Sequence, residues 1–280
     1  VHLPLVLARD AWLAKAERSA EDTRDQVSIV FSKDVVKESG SSISDAPWTH
    51  IGMSVERTLH HFPLDPASRQ VRLALGEKRL PFVEVQVRYW EGPAEFLKLN
   101  PSGVPPVLVE TKHQRTTVIA ETRAILEHIE EQDPEPALLG REPGERAEAR
   151  RLLQWFDRKF DNEVNGFLLH EKMEKRLLRL GAPDLSSLRR GRDALRQHMD
   201  YVEGLLNTRD WLAGRRMSLA DFAAAAHLSV IDYFGDVPWK DFPITKTWYM
   251  KLKSRPAFRP ILADRWPGLA PVAHYDDLDF

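Results

Sequence analysis

Asn100-Pro101-Ser102-Gly103-Val104-Pro105-Pro106-Val107-Leu108-Val109 is the stretch whose reading decides the fold. A polar, glycine-containing turn meets two consecutive prolines and then an apolar, β-branched run. Prolines carry no backbone N–H, so a strand can start only after Pro106. Working outward toward the C-terminus, residues 107–109 and 117–119 read as short strands around a polar turn at 111–116, and 121–131 as a helix. Toward the N-terminus, 58–62 reads as a strand, followed by a turn containing Pro63, Asp65 and Pro66. A helix over 67–78 then directs Val71, Leu73, Ala74 and Leu75 inward, and 82–87 is a second strand. Strand, helix and strand in that order force a parallel pair. Beyond a linker at 133–144 with three prolines, the strand pattern stops. Amphipathic helices are expected from about 145 to 180 and 184 to 206, with shorter ones near Ser218 and Ile244. An α/β half followed by an all-helical half is the predicted fold class.

Composition narrows the functions open to such a chain. The 280 residues allow two domains of ordinary size. A formal net charge of −2 gives no bulk attraction to nucleic acid or an anionic membrane. No apolar run approaches the roughly 18–20 residues of a membrane span. Cysteine is absent, so disulfides and thiolate chemistry are excluded, which fits a reducing cytoplasm. Residues 1–52 lack a sustained apolar face and contain the linker Ser39-Gly40-Ser41-Ser42, with the first Met at Met53. They are expected to be a disordered or non-native extension rather than an accessory arm.

Four signals in order resemble the glutathione-transferase superfamily. The 100–108 stretch is similar to its loop ending in a cis-proline. Ile119-Ala120-Glu121-Thr122-Arg123-Ala124-Ile125-Leu126 is similar to the turn opening its third helix. Trp211-Leu212-Ala213-Gly214 with Ser218-Leu219-Ala220-Asp221 resembles the capping box of its central C-terminal helix. Trp248 with Arg255-Pro256-Ala257-Phe258 resembles its closing helix. The resemblance implies a thioredoxin-like domain over 53–132, the linker 133–144, a helical domain over 145–265 and a tail over 266–280.

Family enzymes activate a thiol with a hydroxyl or Cys after the first strand, and grip glutathione through the backbone N–H before the cis-proline. Here Pro105 precedes Pro106 and has no N–H to offer. A carboxylate such as Asp65 would repel a thiolate. Ser68 is the hydroxyl nearest the right place, and its position suits a first-turn helix residue. Pro105, Pro106, Glu121, Thr122 and Ser68 are therefore expected to be a vestigial glutathione site. No catalytic residue, cofactor or metal is expected. His170-Glu171 begins a zinc-protease pattern, but Glu174 stands where the second His belongs. His227, in an alanine-rich helix, reads as a core or interface histidine. The basic run of Arg189, Arg190, Arg192 and Arg196 with Lys175, Arg176 and Arg179 reads as a solvated, salt-bridged face, with docking of an acidic partner as the sharper alternative.

Two features stand apart. Tyr89-Trp90-Glu91-Gly92-Pro93 puts large aromatics in a loop on the glutathione-facing side. The tail from Trp266 to Phe280 alternates acids and apolar groups, as a recognition peptide does, or else folds back on the first domain. These features, with His60-His61-Phe62-Pro63-Leu64-Asp65-Pro66, resemble a non-enzymatic branch of the superfamily, the division proteins of alphaproteobacteria. That resemblance implies a cytoplasmic homodimer at the division site that binds the tubulin-like protein FtsZ, shapes and bundles its filaments and promotes constriction. The partner-facing positions it implies are Trp90 and Asp279, then Glu171, Leu188 and Arg192. A true glutathione transferase, or a dimerisation module such as those of translation factors, are the alternatives.

Overall fold

β1 (Glu56–His61) is the strand on which the first half is built. It pairs in parallel with β2 (Val83–Gln86) and antiparallel with β3 (Val107–Lys112), and β4 (Arg115–Ala120) completes the order β2-β1-β3-β4. The computed structural model describes residues 55–278; the expected extension at 1–52, and Asp279 and Phe280 of the tail, lie outside the described residues. Leu59 faces Leu108 across the sheet, and both are buried. The sheet is mixed because α1 (Pro66–Glu77) makes the parallel crossover, while β3 and β4 form a hairpin.

That hairpin is longer than its sequence suggests. The strands run on to Lys112 and Arg115, leaving only His113 and Gln114 as the turn, at φ of 50° and 62°. Two positive φ angles match the twist of the flanking strands. Neither residue is a usual occupant of such a turn, which is why the polar run 111–116 read as loop.

α1 starts at Asp65, whose carboxylate accepts the Ser68 N–H at 2.7 Å. Its Val71, Leu73, Ala74 and Leu75 are buried as expected. α2 (Ala94–Leu99) is a short helix ahead of the proline loop, where the Pro105–Pro106 bond is cis as expected; Glu135–Pro136 is cis as well. α3 (Thr122–Gln132) closes this half and packs on α1.

The helical half begins with α4, unbroken from 143 to 178. It is α-helical over Pro143–Gln154 and widens to π-helical turns at Trp155–Asn165 and His170–Glu174. α5 (Leu185–Leu206) is capped by Asp184. α6 (Leu219–Tyr233) is buried on every side, which its alanine-rich sequence permits, and packs against α1 and α4. Its predicted capping box is formed by Ser218 and Asp221. The second carboxylate oxygen of Asp221 also accepts Leu212 N–H and the Trp248 indole N–H, each at 2.9 Å. α7 (Pro243–Lys253) and the one-turn α8 (Arg259–Leu262) complete the unit. Among the described residues, no helix is long and apolar enough to cross a membrane, and no group of three or more His, Asp or Glu is placed to hold a metal ion.

A buried ionic knot ties α1 to the helical half. Arg69, fully buried, donates to Pro63 O at 2.8 Å, Ser229 Oγ at 2.7 Å and Asp264 Oδ2 at 3.2 Å. Arg72 grips both oxygens of Asp264 at 2.7 and 3.0 Å and reaches Glu84 at 2.9 Å.

Candidate functional site: a filled cleft rimmed by aromatics

The turn after β1 uses up the one hydroxyl that the family's chemistry would need. Ser68 is fully buried; its hydroxyl donates to Asp65 Oδ2 at 2.6 Å and accepts Phe62 N–H at 3.2 Å. Both its donor and an acceptor position hold the turn together, as a first-turn helix residue should. Burial pushes the Asp65 carboxyl up to about 6, against the hydrogen bonds from Ser68 that pull it down. A carboxylate this hard to ionise adds no help for an anion beside it.

The proline loop is braced from within. Asn100 Nδ2 donates to Val104 O at 2.8 Å, and Ser102 N–H donates to Asn100 Oδ1 at 3.1 Å. Pro105 and Pro106 are buried, and Pro105 presents no N–H. Glu121 sits at φ 73° at the start of α3 and accepts the Ser102 hydroxyl at 3.0 Å, with Thr122 half-buried behind it. A polar corner able to meet an amino-acid end group thus persists, without the backbone donor next to it.

The loop after β2 brings aromatics to this cleft. Tyr89–Glu91 form one 3-10 turn, ended by Gly92 at φ 62°. Trp90 is half-buried and packs edge-on against Phe62 at 5.2 Å, Tyr89 at 5.3 Å and Trp266 at 5.7 Å between ring centroids. Phe62 and Trp266 meet at 4.9 Å and 83°, and the Arg88 guanidinium lies 5.9 Å from the Trp266 ring. Burial, and then the charges of Glu174, Asp65 and Asp161, push the Tyr89 hydroxyl well above its usual range. The Trp90 loop and the start of the tail therefore share one face.

Of the two readings of the tail, folding back describes it as far as Leu278. Val272 N–H donates to Tyr233 O at 3.0 Å. Tyr275 is fully buried, donates to Ile261 O at 3.2 Å and packs on Tyr233 at 5.0 Å. Arg69 lies 6.0 Å from its ring. The anchoring is against the helical half and α1 rather than the sheet. Asp279 lies beyond the described residues.

The remaining expected positions fall at one corner where α4 meets α5. Glu171 is buried, paired with Lys175 at 2.6 Å and accepting Asp184 N–H at 2.7 Å. Leu188, on α5, is buried as well, so neither side chain is open to direct contact from outside. Arg192 is exposed and bonds Asp236 at 2.9 Å. Part of the basic run is paired or stacked: Arg196 meets Asp241 at 2.7 Å, and Arg190 covers the Phe167 ring at 4.6 Å. His170 pairs at 2.8 Å with Glu174, the residue that breaks the zinc pattern, and that hydrogen bond raises its pKa. His227 is a core histidine, bonded to Asn165 at 2.6 Å.

Phe62 as the hub of the aromatic cluster and the Arg69–Asp264 knot were not expected from the sequence. Two arginines on the apolar face of a predicted helix were the available signal for the knot.

A mixed four-stranded sheet, a cis-proline loop and a buried, box-capped central helix define the glutathione S-transferase fold. Residues 66–132 match the glutathione S-transferase N-terminal domain and residues 172–256 the C-terminal domain; the chain belongs to this family. Within it, the chain is 86% identical over 228 residues to FtsZ-localized protein A of Caulobacter vibrioides (strain NA1000 / CB15N), covering 81% of this chain and 100% of that protein. The solved structure of FzlA from C. crescentus matches with a TM-score of 0.80, over 80% of this chain and all of that one. A glutathione S-transferase structure from Rhodospirillum rubrum F11 matches at 48% identity and a TM-score of 0.77, over 80% of this chain and all of that one.

Proposed function

We propose that this chain is a non-enzymatic, glutathione-transferase-like adaptor of cell division that binds FtsZ, modulates filament curvature and bundling, and promotes constriction. The observation that carries this reading is the 86% identity along the whole of FtsZ-localized protein A. The site supports it physically: the Ser68 hydroxyl is committed to its own turn, and Pro105 withholds the donor that would hold glutathione. In this reading the protein works as a homodimer in the cytoplasm at the division site. Trp90 and Asp279 face the partner, while Glu171, Leu188 and Arg192 form a second tier that affects bundling. Trp90, edge-packed on Trp266 beside a cationic Arg88, has the make-up of an interface anchor.

A glutathione transferase is the second reading, favoured by the intact Glu121–Thr122 corner and by the 48% likeness to the R. rubrum structure. Co-sedimentation with polymerised FtsZ, run beside conjugation of glutathione to a chromogenic electrophile, separates the two. The adaptor pellets with filaments and conjugates nothing above the uncatalysed rate. Turnover abolished by Ser68→Ala, with no pelleting, would reverse the assignment.

A further inference from the structure

The end of α4 and the tail enclose a groove of about 670 Å³ that no part of the glutathione site touches. Phe234, Leu269 and Val272 supply its apolar side, and Lys175, Arg176 and Arg179 its basic side. Val272 is pinned there by its bond to Tyr233 O, and the Tyr233 hydroxyl donates to Leu269 O, so the apolar side is preformed. Close approach also fixes it: Gly235, at φ 74°, leaves no room for a Cβ, which would lie 2.6 Å from Val272 Cγ1.

The charge of the groove is not cancelled internally. Glu171 pairs with Lys175, and the single carboxylate of Asp236 is shared by Lys172 and Arg192. Among the described residues Arg176 bonds a neutral oxygen, Gly268 O at 2.7 Å, and no carboxylate, which leaves its charge standing. With Arg179 these groups number five cations and two anions, a net of three positive charges beside an apolar wall. Its far end is continuous with the aromatic cluster, because Trp266 and Leu269 bridge to each other across the turn Pro267-Gly268.

We infer that this groove is a docking site for an extended, acidic peptide segment of a partner protein, its apolar side chains on Phe234 and Val272 and its carboxylates on Arg176 and Arg179. A pocket of several hundred Å³ with a few charged groups on one side suits a short peptide. Carboxylates match guanidinium geometry in pairs. The buried Glu171 then gains a role, as the carboxylate that holds Lys175 on the basic side.

Fluorescence anisotropy with the full chain tests it, using a short fluorescein-labelled peptide of alternating glutamate and leucine. Saturable binding is expected, weakening about tenfold in the double variant Arg176→Gln, Arg179→Gln. It should weaken further at about 1 M salt, where screening acts over about 3 Å. An alternating lysine and leucine peptide should not bind. Absence of binding by the acidic peptide, or unchanged binding by a folded double variant, overturns the inference. So does equal binding of a glutamate and serine peptide or a single-stranded oligonucleotide, which would make the groove a general polyanion site. Co-sedimentation with FtsZ is read separately. Peptide binding without pelleting removes the adaptor reading alone, and pelleting without peptide binding removes the groove alone.

Discussion

Asp65 combines two tasks that pull in opposite directions. As the cap of α1 it must accept hydrogen bonds, yet burial penalises its charge and lifts its pKa to about 6 from 3.8. A folded-state value above the unfolded one means that protonation favours folding. The contribution is fully present below about pH 4 and is lost as pH rises through about 6. Asn caps a helix as well as Asp but carries no charge. The melting temperature of Asp65→Asn relative to the parent should therefore be highest above about pH 7, and that difference should shrink toward pH 4. Thermal unfolding followed by circular dichroism across this range checks it; a difference that does not change with pH would show that the Asp65 charge is not penalised.

Helix contacts set the next scale. α5 crosses α4 at Gly191, where a Cβ would lie 2.8 Å from Leu168 Cγ and 2.9 Å from Phe167 Cβ. Gly191→Ala gains helix propensity but overfills this crossing, and overpacking costs about 1–3 kcal/mol. A lower urea midpoint with an unchanged slope is expected, and a rise in the midpoint would mean that the helices separate freely. At this scale much was legible beforehand. The apolar side of α1 follows from periodicity, which is local, while the cis-proline loop and the Ser218–Asp221 box were legible through their resemblance to the family's pattern. The two-residue turn at His113 and Gln114 was not, since its residues carry no turn signal and the sheet imposes the geometry. Nor was the depth of Glu171 and Leu188, because burial at the α4–α5 corner depends on the angle at which the two helices cross. The aromatic cluster was half legible: the Trp90 loop and Trp266 both stood out, but only the fold brings them within 5.7 Å.

Across the whole molecule, the sheet half and the helical half are held by Arg69, Arg72 and Asp264 more than by any surface pairing. Removing Asp264 leaves two buried guanidiniums without their shared carboxylate, and breaking such a group costs about 3–5 kcal/mol. Asp264→Ala should lower the melting temperature by many degrees and separate the unfolding of the two halves in calorimetry. A small change in a single transition would mean that apolar packing alone couples them. The same rigid frame holds the Trp90 face, and the adaptor reading depends on that face most. The direct test is the dissociation rate of Trp90→Ala from immobilised FtsZ filaments, measured well below the variant's melting temperature because Trp90 also packs on Phe62 and Trp266. A hot-spot loss of about 2 kcal/mol predicts dissociation faster by roughly 30-fold, with association little changed. A folded Trp90→Ala protein that leaves the filaments at the parental rate would contradict the account.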